Sequence, residues 1–101
     1  MKTFKIDLPM ERIRAFCRRW KLTELSLFGS VLRDDFGPDS DVDVLISFAP
    51  DAEFDSYDLV YMHDELAEIF RRKVDLVEKE GLRNPFRRQA ILSTREVIYA
   101  A

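Results

Sequence analysis

The stretch Leu27-Phe28-Gly29-Ser30-Val31-Leu32-Arg33-Asp34-Asp35-Phe36-Gly37-Pro38-Asp39-Ser40-Asp41-Val42-Asp43-Val44-Leu45-Ile46-Ser47-Phe48 decides how the rest of the chain is read. One apolar run ends in Gly29-Ser30, a polar turn rich in Gly, Pro, Asp and Ser follows, and a second apolar run begins with Asp41 and Asp43. Two acids at i and i+2 at the start of a strand point to one face, about 6–7 Å apart. At an intermediate effective dielectric they repel by about 3 kcal/mol, a cost that folding alone gives no reason to accept. A divalent cation removes that cost, so the stretch predicts a metal and phosphate site. Gly29-Ser30 would open a short helical turn over residues 31–35, whose unpaired N–H groups and hydroxyl are how chains hold phosphate oxygens. Without the two acids, the same Gly-Ser reads as an ordinary strand-to-helix turn.

Working outward, residues 25–28 read as a strand and Gly37-Pro38-Asp39-Ser40 as turn chemistry. In the second strand Val42, Val44 and Ile46 face one side, and Asp41, Asp43, Leu45 and Ser47 the other. About a dozen residues separate the two strands, which leaves antiparallel or mixed pairing open. Upstream, Ile13, Phe16, Cys17 and Trp20 recur at helical spacing over residues 9–20, with Asp7 as a candidate cap and Pro9 in the first turn. Cys17 falls on the apolar face and reads as a core residue, since nothing near it in sequence would activate a thiolate.

Downstream, residues 49–55 form an exposed loop. Residues 56–70 resume helical spacing, with Leu59, Met62, Leu66, Ile69 and Phe70 on one stripe. His63, the single histidine, reads as a solvated or capping residue, and Arg71-Arg72-Lys73 as cations that solvate the helix end and complement its dipole. Val74-Asp75-Leu76-Val77 is a short strand with one acid inside it. Beside the Asp41 strand, Asp75 would complete a three-acid cluster; elsewhere it would pair with Arg72 or Lys73. After a break at Gly81, Asn84-Pro85 opens a helix through Ile91 or Leu92, and Val97-Ile98-Tyr99 is either a last strand or the frayed end of that helix. The expected fold is α/β (α+β): a small mixed sheet of three to four strands packed against helices.

At 101 residues the chain is expected to be one domain, residues 1–101, with room for one core and one site. The charged fraction of 35% argues against a membrane or fibrous protein. The net charge of −3 argues against generic duplex binding, although Arg and Lys gather at 12–21, 71–73 and 83–88, where a nucleotide or an acidic partner could sit. One cysteine excludes an internal disulfide and every multi-cysteine metal site. With no signal segment and no apolar span of bilayer length, the expected location is the cytoplasm.

Gly29-Ser30, ten intervening residues and then Asp41-Val42-Asp43, set in Leu-Phe-Gly-Ser-Val-Leu-Arg and an apolar strand, resemble the GSx10DxD signature of the DNA polymerase beta-like nucleotidyltransferases. The size and flanks are similar to the minimal nucleotidyltransferase (MNT) branch, and the resemblance runs from the first helix to Val77. It implies that Gly29 and Ser30 hold the triphosphate, that Asp41 and Asp43 bind divalent metal, two Mg²⁺ ions, and that Asp75 is the third catalytic and metal-binding acid. Arg33 matches a basic position that contacts phosphate. Val31 and Asp34 depart from the family pattern, which has a basic residue directly after the Ser and a Gly after the Arg. The implied reaction is transfer of AMP from ATP to a hydroxyl. Larger relatives carry a second domain that shapes the acceptor pocket, and this chain is expected to lack one. Small MNT proteins are typically antitoxins of a HEPN-domain RNase toxin and adenylylate a tyrosine on it. The acidic loop at 51–58 or the basic C-terminal helix would then be a docking face, in a homo- or hetero-oligomer. Two other readings stay open: a non-catalytic antitoxin that acts by binding, and a small-molecule nucleotidyltransferase.

Overall fold

The computed structural model describes residues 6–34 and 36–101. The first helix, α1 (Met10–Arg19), buries Ile13, Phe16 and Cys17, the positions its spacing predicted. Asp7 does not cap it. Pro9 occupies the N-cap position, its carbonyl accepts from the Ile13 N–H at 3.0 Å, and Asp7 therefore lies two residues upstream of the cap.

Lys21, at a φ of 55°, turns the chain into β1 (Leu22–Phe28), which starts three residues earlier than residues 25–28 suggested. β1 pairs antiparallel with β2 (Val42–Phe48), placing Leu27 beside Val44 and Phe28 beside Asp43. A crossover through α2 (Ser56–Phe70) leads to β3 (Val74–Glu78), which lies parallel to β2 with Asp75 beside Asp43. Residues 97–99 resolve as a strand: β4 (Glu96–Ala100) pairs antiparallel with the other edge of β1. The sheet is thus mixed and four-stranded in the order β3-β2-β1-β4, within the expected class.

Both faces of this sheet are covered, and that explains why β2 reads as a nearly continuous apolar run rather than a clean alternation. On one face Ile13, Phe16 and Cys17 of α1 and Met62 and Leu66 of α2 pack with Leu25, Leu27, Val42, Val44 and Ile46. On the other, Phe28 and Leu45 meet Leu82 and Ile91, the latter from α3 (Pro85–Thr94). Each fully buried aliphatic or aromatic side chain contributes about 1.5–3 kcal/mol. Burial pushes the Cys17 thiol up to about 12, consistent with a core role and not a nucleophilic one.

Caps fix the helix ends near the sheet. The Asp55 side chain accepts from the Asp58 N–H at 2.9 Å while the Asp58 side chain accepts from the Asp55 N–H at 3.1 Å, closing a capping box at the start of α2. Asn84 caps α3 by accepting from Phe86 and Arg87 N–H groups, with Pro85 in the first turn.

Candidate active site

β1 delivers the chain to Gly29 at a φ of +72°, where a one-turn 3₁₀ helix (Gly29–Leu32) begins. The turn starts at the glycine itself and not at Val31, because Gly29 takes the left-handed conformation that ends the strand. A Cβ at Gly29 would stand 2.1 Å from Asp43 Oδ2, so any larger residue there would displace that carboxylate from the strand end. Next to it, the Ser30 N–H donates to Asp43 and the Ser30 hydroxyl donates to the Asp41 carbonyl at 3.2 Å. The ten-residue spacing between Ser30 and Asp41 is therefore closed by direct hydrogen bonds.

Asp43 is half-buried, and three influences raise its pKa: burial first, then the charge of Asp75 on the adjacent strand, then that of Asp41. The Ser30 N–H and the Arg33 guanidinium oppose the rise without cancelling it. Asp75 is exposed at the sheet's edge strand, and Asp41, also exposed, sits one residue before β2. The sheet register thus makes Asp43 and Asp75 a side-by-side pair with Asp41 at its rim. Among the described residues, no three His, Cys, Asp or Glu side chains close into a set spaced to hold one ion. Arg33 follows the 3₁₀ turn, where its N–H donates to the Ser30 carbonyl at 2.9 Å.

Two residues take places that sequence spacing does not suggest. Arg72, expected to solvate the end of α2, instead donates through Nη2 to the carbonyls of Gly37, at 2.5 Å, and Ser40, at 2.7 Å. Its guanidinium also lies 4.5 Å from the centre of the buried Phe36 ring. With Arg72 engaged there, the alternative pairing of Asp75 with it is set aside. His63, expected to be solvated or capping, places Nε2 2.8 Å from the Val74 carbonyl, so Nε2–H fastens α2 to the start of β3. Both partners are backbone oxygens on distant segments, and no side-chain pattern announces them.

A mixed four-stranded sheet with paired acids on neighbouring strands and a Gly-Ser turn against them is the arrangement the class of nucleotidyltransferases would need. Residues 10–98 match the nucleotidyltransferase domain family, and the chain belongs to it. The match continues past Val77 through α3 into β4, further than the motif-based resemblance reached. The chain is similar to "Putative protein adenylyltransferase MJ0128" of Methanocaldococcus jannaschii, with 29% identity over 85 residues, 84% of this chain and 85% of that protein. Its fold matches a chain in the crystal structure of a toxin–antitoxin with AMP-PNP, with TM-score 0.73 and 22% identity, covering 93% of this chain and 75% of that one. It also matches a chain in the structure of the tri-AMPylated Shewanella oneidensis HEPN toxin in complex with MNT antitoxin. There the TM-score is 0.65 and the identity 22%, over 90% of this chain and 69% of that one. Among the described residues, no helix is long and apolar enough to cross a membrane.

Proposed function

We propose that this nucleotidyltransferase transfers AMP from ATP to a tyrosine hydroxyl on a partner HEPN-domain toxin and so acts as its antitoxin in the cytoplasm. The observation that carries the reading is the Asp43–Asp75 pair, held in register across β2 and β3 with Gly29-Ser30 hydrogen-bonded against it. Relatives named for protein adenylyl transfer, and a fold shared with a complex that contains an AMPylated toxin, support the choice of a protein acceptor.

Asp41, Asp43 and Asp75 are the residues that would hold Mg²⁺, two ions in the implied arrangement. Their donors are hard carboxylate oxygens, and the repulsion from Asp75 and Asp41, which adds to burial in raising the Asp43 pKa, is what a cation would relieve. Bound Mg²⁺ would neutralise the triphosphate and lower the pKa of the attacking hydroxyl. Gly29 offers phosphate a close backbone approach, Ser30 its polar groups, and Arg33 a cation for the phosphate charge. In the reaction the acceptor oxygen bonds to the α-phosphorus, the bond to the bridging oxygen breaks, and pyrophosphate leaves. Asp75, exposed on the edge strand, can be reached by a protein acceptor and is assigned to receive the hydroxyl proton. Residues 1–101 are taken as a single nucleotidyltransferase domain.

The test is incubation with ATP labelled at the α-phosphate, Mg²⁺ and the HEPN-domain protein. Label on a tyrosine of the partner, lost in the Asp41→Asn/Asp43→Asn double variant, supports the proposal. Labelling retained in the double variant overturns the assignment of the acids. Tight binding without label indicates a contact-only antitoxin, and label on a small metabolite indicates a small-molecule transferase.

A further inference from the structure

Arg72 stands at the junction where the two halves of the candidate site meet. In sequence it lies three residues before Asp75, on the short connection between α2 and β3. In space its guanidinium holds the turn that ends one residue before Asp41. That turn closes on itself: the Ser40 N–H donates to the Gly37 carbonyl at 3.1 Å, and the Gly37 N–H donates to the Ser40 hydroxyl at 3.0 Å. Arg72 then binds the carbonyls at both ends of it, Gly37 and Ser40, through one nitrogen. The Phe36 ring packs against the same guanidinium, its centre 4.5 Å away. Beside this, the Val42 N–H donates to the Lys73 carbonyl at 2.9 Å, so the first rung between β2 and β3 lies next to the clamp.

We propose that Arg72 is a positioning residue for nucleotidyl transfer. It fixes Asp41, through the Gly37–Ser40 turn, against the strand that carries Asp75. Resting on the function proposed above, this assigns Arg72 no contact with substrate. What favours arginine is the ring: Nη2 serves both carbonyls while the flat guanidinium lies over Phe36, whereas a lysine ammonium could reach the carbonyls but has no face to lay on the ring. A residue supporting first-contact ligands from behind typically changes metal affinity or activity by about 10–100-fold when removed.

The experiment compares the full-length wild type with Arg72→Met, which keeps an apolar stem over Phe36, and Arg72→Lys, which keeps the charge. Mn²⁺ binding in the presence of AMP-PNP is followed by paramagnetic resonance against a protein-free Mn²⁺–AMP-PNP reference, because the nucleotide itself takes up the ion, and amide exchange is measured over residues 37–43. The expected result is Mn²⁺ affinity lower by about 10–100-fold in Arg72→Met and incompletely restored in Arg72→Lys. Faster exchange should be confined to the turn and the start of β2, with circular dichroism unchanged. Wild-type affinity in both variants overturns the role of Arg72 and leaves the proposed function standing. Slower-melting or faster-melting variants with unchanged Mn²⁺ affinity show a purely structural clamp and also overturn it. Absence of Mn²⁺ binding by the wild type would overturn both readings, since there would be no metal site to position.

Discussion

Alanine at position 29 meets two separate obstacles. Its φ of +72° is costly for any residue with a Cβ, by about 1–2 kcal/mol. The new methyl would also stand 2.1 Å from Asp43 Oδ2, so either the strand end or the carboxylate must shift. Gly29→Ala is therefore expected to lower stability by at least about 1–2 kcal/mol in urea unfolding and to weaken AMP-PNP binding. A variant with wild-type stability would show that the turn relaxes without strain. Gly29, Ser30, Asp41 and Asp43 were all legible in the sequence, because strand alternation and a fixed spacing along the chain place them. Arg72 and His63 were not, because what they bind is main-chain oxygen brought near by the packing of other segments.

At the scale of the element, β1 shows the same limit. Leu22 and Thr23 were missed as strand residues, together with Glu24. The Glu24 side chain is largely covered, and its partner lies 71 positions away in Arg95, whose Nε donates to Oε2 at 2.7 Å. The Ser26 hydroxyl donates to the same oxygen at 2.8 Å, and Lys79 Nζ stands 3.7 Å from Oε1. Burial alone would push the Glu24 carboxyl up, but Arg95, Ser26 and Lys79 together hold it below its ordinary 4.5. A carboxyl lowered in the folded state contributes stability above its unfolded pKa and loses it as the pH falls through the folded one. Arg95→Met should thus cost about 1.5–3 kcal/mol at neutral pH, part of it from a lost bond to the Leu92 carbonyl. The gap to wild type should narrow below pH 4.5, where Glu24 takes up its proton. Urea unfolding at neutral and acid pH measures both, and a gap independent of pH would remove Glu24 from the account.

For the whole molecule, the acids set stability against activity. The Asp43 pKa is raised, so its contribution has the opposite sign: in the metal-free protein the increment from Asp43 is fully present below the ordinary aspartate value of 3.8 and is lost as the pH rises through the raised folded value. Asp43→Asn should therefore unfold at higher urea than wild type at pH 7 without metal, the difference vanishing in acid. Adding Mg²⁺ with AMP-PNP should reverse the order, because a ligand at 100 times its dissociation constant adds about 2.7 kcal/mol to the form that binds it. A double variant at Asp41 and Asp43 that still gained stability from Mg²⁺–AMP-PNP would place the ions elsewhere. The class of fold and the sheet–helix layering followed from pattern and spacing, whereas the place of Asp75 was left open until β3 was seen to lie beside β2. The strand order did not follow either: residues 97–99 suit a strand or a helix end equally, and only pairing with β1 decides between them.

The parallel placement of β3 beside β2 also has a consequence in time. Asp43 and Asp75 lie 32 residues apart in sequence, and α2 must carry the chain across before they can meet. The β1–β2 pair closes over a shorter loop and needs neither α2 nor β3 to form its register. Repulsion between the two carboxylates therefore does not exist in the open chain and first appears when β3 docks against β2. It bears on how long the strand stays docked: the like charges favour the local release of β3, and a cation between them would work as a latch on that release.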